Sequence, residues 1–223
     1  MSDAGTLELQ VSDRIYRRIR DDVIFGRLAP GRRLTLERMR EAYGASVTTL
    51  REALSRLSSE GFVAAEGARG FAVMPASAKD LRELAAMRQL LESHALRKSF
   101  ECGDIEWESR VVAAYHKLSR IEKELGSGDI SDPELWKQYD CAFHQALISA
   151  CDSKVLMDIH ATVQDKYFRY LMIAAVFRGP PAAEEHRRLL DCSLSRDWAS
   201  AQQILAVHIS ECVAQMENSG ALT

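Results

Sequence analysis

The chain has 223 residues, 47% of them hydrophobic and 27% charged, with a formal net charge of −3; that length allows one large domain or two smaller ones. No apolar run approaches the roughly 20 residues of a membrane-crossing helix, and the N-terminus MSDAGTLELQ has no signal-peptide pattern, so a cytoplasmic location is expected. Charge is unevenly spread: residues 1–76 hold 12 Arg, no Lys and 10 acids, whereas the remainder is acidic with 17 basic and 22 acidic residues, which favours two domains.

From Val11 to Phe25, the apolar residues Val11, Ile15, Ile19, Val23 and Ile24 recur at helical spacing, and Gly26 with the following Leu-Ala-Pro-Gly closes the element. A short helix is predicted over Leu36–Tyr43, with Thr35 as N-cap and Gly44 as stop. After Gly-Ala-Ser, a third helix runs to about Glu60 with Leu50, Ala53, Leu54 and Leu57 on one face. Two short helices joined by a tight Gly-containing turn form a helix-turn-helix pattern. FVAAEGARGFAVM then predicts two short strands around a Gly67–Gly70 turn, a hairpin of the kind called a wing. Eleven Arg against 6 acids in residues 11–56 suit an anionic polymer, because guanidinium groups grip phosphates in a bidentate fork. On charge alone, a solvated Arg-rich helix face explains them equally well.

Pro75 and its small neighbours mark a linker, PASAKD. Beyond it, apolar spacing predicts helices at about 78–101, 105–125, 133–150, 153–177, 182–194 and 197–217. The expected fold is therefore mostly α: a winged helix-turn-helix over 1–76 and an all-helical bundle over 77–223. The five cysteines, Cys102, Cys141, Cys151, Cys192 and Cys212, form no CxxC pair and are expected to be reduced. In YDCAFHQALISAC, Asp140 and His144 lie four apart and so share one face of a largely apolar helix. By spacing alone they are a hydrogen-bonded core pair or half of a metal site.

The run PGRRLTLERMREAYGASVTTLREALSRLSSEGFVAAEGARGFAV resembles the winged helix-turn-helix of the GntR family of bacterial transcription regulators. Helix, turn, recognition helix and wing occur in order over about 45 residues. The resemblance implies binding to a double-stranded DNA operator. It places Arg38 on the first helix of the motif at a DNA-contacting position, and Ser46, Thr48, Thr49 and Arg51 on the recognition helix. Arg51 suits base reading, since an Arg in the major groove can make two bonds to guanine. Ser46 and Thr48 suit phosphates, and Arg69 in the wing suits a minor groove. Many relatives carry Arg between the Ser and Thr of this helix. Here the residue is Val47, which could instead meet a thymine methyl.

Three later stretches resemble the FCD effector domain of the FadR branch of that family: DLRELAAMRQLLESHALRKSF, YDCAFHQALISACDSKVL and EHRRLLDCSLSRDWASAQQILAVHI. Together they span about residues 78–215. The resemblance implies a divalent metal site built from Asp140, His144, His186 and His208. Three imidazoles and a carboxylate suit Zn²⁺ or Ni²⁺ and leave coordination positions for a ligand. It also implies a homodimer, a palindromic operator and a small carboxylate effector, with repression the commoner mode. Arg88 is the candidate cation for the far end of that effector; an intrahelical pair with Glu92 is its alternative role. A purely structural metal is the competing account. A metal-dependent hydrolase is a further one, disfavoured because no His-Glu-x-x-His pattern occurs and no general base sits at a recognisable spacing.

Overall fold

The computed structural model describes residues 3–67, 70–126, 132–174 and 178–222. The chain divides into two compact units, residues 1–77 and 78–222.

The first unit opens with helix α1 (Asp3–Ile24), which starts earlier than apolar periodicity alone predicts. Its face of Ile15, Ile19, Val23 and Ile24 is buried. Strand β1 (Arg33–Leu34) leads into α2 (Leu36–Tyr43), where Gly44 ends the helix at φ 65, a left-handed conformation that a Cβ would strain. Thr35 occupies the N-cap position of α2, but its side chain makes no capping bond.

Ser46 caps α3 (Val47–Ser59) by accepting from the Thr49 amide at 3.1 Å. Leu50, Ala53, Leu54 and Leu57 of α3 are fully buried and pack against α1. Burial of each Leu contributes about 1.5–3 kcal/mol, so this seam fixes the outward face of α3. Strands β2 (Val63–Ala65) and β3 (Phe71–Val73) form the expected hairpin. β1 adds antiparallel to β3, giving the order β1-β3-β2 with Leu34 opposite Phe71 and Ala64 opposite Ala72. Two residues are too few for an alternation signal, so β1 was invisible to periodicity.

The second unit is entirely helical among its described residues: α4 (Ala78–Cys102), α5 (Ile105–Gly126), α6 (Pro133–Ile148), α7 (Lys154–Ala174), α8 (Pro180–Ser195) and α9 (Trp198–Asn218). Residues 175–177 of the predicted 153–177 helix lie outside the described residues. Helix α4 packs against α6, α7 and α9, while α5 packs against α6 and α8. Two devices seat α6. Asp132 caps it by accepting from the Leu135 amide at 2.9 Å, and the buried Trp107 of α5 donates its indole N–H to the Ala146 carbonyl at 3.0 Å. Gly103 permits that Trp107 position, because a Cβ there would lie 2.4 Å from the indole. No helix among the described residues is long and apolar enough to cross a membrane.

Candidate functional sites

On the first unit, Arg38 and Arg51 are exposed on α2 and α3. Neither has a hydrogen-bond or ion-pair partner among the described residues, so both guanidinium groups are free for an outside anion. Other arginines of the unit are occupied: Arg56 lies 3.7 Å from the Tyr16 ring centroid, Arg20 bonds Glu60, and Arg27 bonds Asp22 at 2.6 Å. Arg40 joins Arg38 and Arg51 as an exposed residue without such a partner; composition alone could not separate free arginines from paired ones. Thr48 and Val47 are exposed at the start of α3. Ser46 and Thr49 are linked to each other at 2.9 Å, so the cap is shared between them. Arg69 lies outside the described residues.

In the second unit, α6 contributes Asp140 and His144, α8 contributes His186, and α9 contributes His208. One ligand atom from each comes within 4.8 Å of all the others, and all four residues are buried. The rings converge, with centroids 4.7 Å apart for His186 and His208 and 5.1 Å for His144 and His208. Donors held about 2.1 Å from one ion lie about 3.4 Å apart in a tetrahedral site, so a shift of about 1 Å or less per donor brings the four onto one ion.

Each of the three histidines has a carboxylate beside it, and two of these, Glu122 and Glu185, were not singled out by sequence reading. His186 Nδ1 donates to Glu122 Oε1 at 2.7 Å, and His208 Nδ1 donates to Glu185 Oε2 at 2.8 Å. His144 Nδ1 faces Glu92 Oε2 at 3.5 Å, an ion-pair distance too long for a good hydrogen bond. Glu185 is itself gripped by Arg178 through bonds of 2.6 and 2.9 Å. Such outer carboxylates set the imidazole tautomer and turn the other nitrogen toward a metal.

His186 Nε2 and both nitrogens of His144 are buried without a hydrogen-bond partner. A buried unsatisfied polar group costs about 1–3 kcal/mol, and a divalent cation coordinated there removes that cost for His186 Nε2 and one nitrogen of His144. The donor set therefore fits a metal.

Electrostatics sort the cluster. Burial pushes the His208 pKa down to about 3 despite the Glu185 bond. Burial also lowers His144, with help from the Arg88 charge. At His186 burial acts downward, but the Asp140 carboxylate 3.3 Å from Nε2 and the hydrogen bond and charge of Glu122 outweigh it and raise the pKa to about 9. Asp140 is held well below the usual carboxylate range: burial opposes this, and His186, His144 and Lys137 overcome it. Burial pushes the Cys141 thiol up to about 12, reinforced by Asp140, so it is an inert thiol rather than a nucleophile.

Asp140, His186 and His208 line one small cavity together with Arg88, Lys137 and Arg178, closed by an apolar wall that includes Trp136 and Leu171. Its volume open to a water-sized sphere is about 10 Å³, room for roughly one water or one ion. Arg88 is buried. Its Nε donates to Glu92 at 2.6 Å, so the intrahelical pair forms. Its Nη2 is left without a partner, and the residue also lines the cavity.

The FCD domain family model matches residues 83–211, and the model for bacterial regulatory proteins of the gntR family matches residues 11–73. The chain belongs to the GntR family of transcription regulators with an FCD domain. It is 38% identical over 209 residues to the HTH-type transcriptional regulator BphR of Paraburkholderia xenovorans LB400, covering 93% of this chain and 85% of that one. It is 28% identical over 200 residues to the HTH-type transcriptional repressor GlaR of Escherichia coli K12, covering 87% and 90%. Two solved structures share the fold at a TM-score of 0.76: a GntR regulator from Rhodococcus sp. RHA1, at 24% identity, and E. coli McbR/YncC, at 19%. Each alignment covers 93% of this chain and 97% of the other. The protein is thus a DNA-binding regulator and not a hydrolase.

Proposed function

We propose that this regulator is a homodimeric repressor of a palindromic operator, released when a small carboxylate binds at a divalent metal held by Asp140, His144, His186 and His208. The observation that carries this reading is the buried cluster of four ligand atoms within 4.8 Å, with three imidazole nitrogens unpartnered and carboxylates behind the rings. When bound, the metal supplies a Lewis-acid centre with positions left for an anionic oxygen; Zn²⁺ and Ni²⁺ suit the donor set. Arg88 would hold the effector's other end through its unpartnered Nη2. Repression is proposed by analogy with GlaR, the transcriptional repressor of E. coli. Arg38, Ser46, Thr48, Thr49, Arg51 and Arg69 are the proposed DNA contacts.

The effector changes DNA binding only if it binds more tightly to a DNA-incompetent arrangement. Helix α4 is the proposed transmitter: it follows the linker directly and carries both Arg88 and Glu92, the residue facing His144.

The small cavity favours one alternative, a metal that is purely structural. Selection of an operator from random DNA, followed by release assays with small carboxylates, separates the two. The proposal expects metal-loaded protein to leave the operator when an organic acid is added, and Arg88→Ala to blunt that release. Operator binding that ignores all organic acids yet collapses with chelator would establish the structural role instead.

A further inference from the structure

Of the three cations lining the cavity, Arg88 is paired with Glu92 and Arg178 with Glu185. Lys137 differs. It lies on α6 one turn before Asp140, is only 4% exposed, and has its ammonium 3.7 Å from the Trp136 ring centroid. Among the described residues it has no hydrogen-bond or ion-pair partner. A ring face compensates a desolvated ammonium only in part, by about 2 kcal/mol, and the nearby Asp140 charge offsets more of the cost without forming a direct ion pair. A group held this way on a cavity wall keeps its ammonium donors available to an anion.

We infer that Lys137 is a second anion anchor of the effector site, so that the ligand it selects is a short organic dianion: one carboxylate directed to the metal ligands' side and one to Lys137. The inference rests on the effector reading given above and adds its specificity. Arg88 cannot serve in this way alone, because its Nε is committed to Glu92, whose carboxylate already balances the guanidinium charge. The tightness of the cavity is compatible with this role. The cavity at rest holds about one water, and the lysine stem has four rotatable carbons, so the stem can swing outward to admit the ligand while its ammonium stays at the rim to pair the outer carboxylate. A ligand with a single carboxylate leaves the ammonium as poorly compensated as before, whereas the dianion pairs it, and the difference appears as selectivity.

The test is calorimetric titration of metal-loaded protein with butyrate and succinate, matched in carbon number, using the wild type, Lys137→Met and Lys137→Arg. Metal content and thermal midpoint are measured on each variant to show an intact site. The expected result is at least tenfold tighter binding of succinate than of butyrate by the wild type, a preference lost in Lys137→Met and retained in Lys137→Arg. Equal binding of the two acids by the wild type, or a succinate preference that survives Lys137→Met, overturns the inference while leaving the effector reading in place. Absence of binding by any carboxylate to metal-loaded wild type overturns both.

Discussion

His186 Nδ1 donates to Glu122 Oε1 at 2.7 Å, across 64 residues of sequence and from α8 to α5. The bond fixes which imidazole nitrogen is free, and the free Nε2 is the one 3.3 Å from Asp140 Oδ1. Outer-sphere acceptors of this kind are worth about 10–100-fold in metal affinity. Glu122→Gln should therefore weaken binding of Zn²⁺ or Ni²⁺ by about that factor with little change in secondary structure. Competition against a chromogenic chelator measures it, and an unchanged affinity would remove Glu122 from the site.

Arg51 and Arg38, if they contact DNA as proposed, should differ in the information they carry. Arg51, free at the start of α3, should contribute about 1–3 kcal/mol of discrimination at one base pair. Arg51→Ala is expected to relax preference at that position. Arg38→Ala should weaken all sequences alike and flatten the salt dependence. Fluorescence anisotropy on an operator and its single-base variants, between about 50 and 200 mM salt, distinguishes the two. Affinity that ignores salt would contradict the assignment of free arginines to phosphates.

The first unit should lose stability in alkali. Burial first, and then hydrogen bonds to carboxylates, raise Tyr16 to about 12 through Glu60 and raise Tyr43 further through Asp22. The unfolded-state phenol titrates near 10. The folded unit therefore keeps protons that the unfolded chain has released, and the contribution is complete below about pH 10 and lost as pH rises toward 12. Thermal melts of wild type and a Tyr16→Phe, Tyr43→Phe variant between pH 8 and 11 are expected to show a shallower decline in the variant. Parallel declines would mean that these hydroxyls do not matter.

The fold was legible in the sequence because its helices are long and amphipathic, and because the motif of α2, α3 and the wing carries its own turn signals. Strand β1 was not, since pairing with β3 rather than local pattern creates it. Within the candidate metal site, only Asp140 and His144 share a helix, so spacing could join those two alone; His186 and His208 came through family resemblance. Glu122 and Glu185 reach their histidines across 64 and 23 residues, and no local rule marks them. Lys137 did leave a signal, three residues before Asp140 and hence on the same helical side. Its lack of a carboxylate partner is a property of packing that sequence does not display.

The most direct test of the central claim is metal content. Protein purified without a histidine tag or chelator is analysed for first-row metals beside a His186→Ala, His208→Ala variant of the same preparation. The account predicts roughly one divalent ion per wild-type chain and its loss in a variant that remains folded. A wild type that holds no metal after reloading and dialysis, or a variant that holds as much as the wild type, would contradict it.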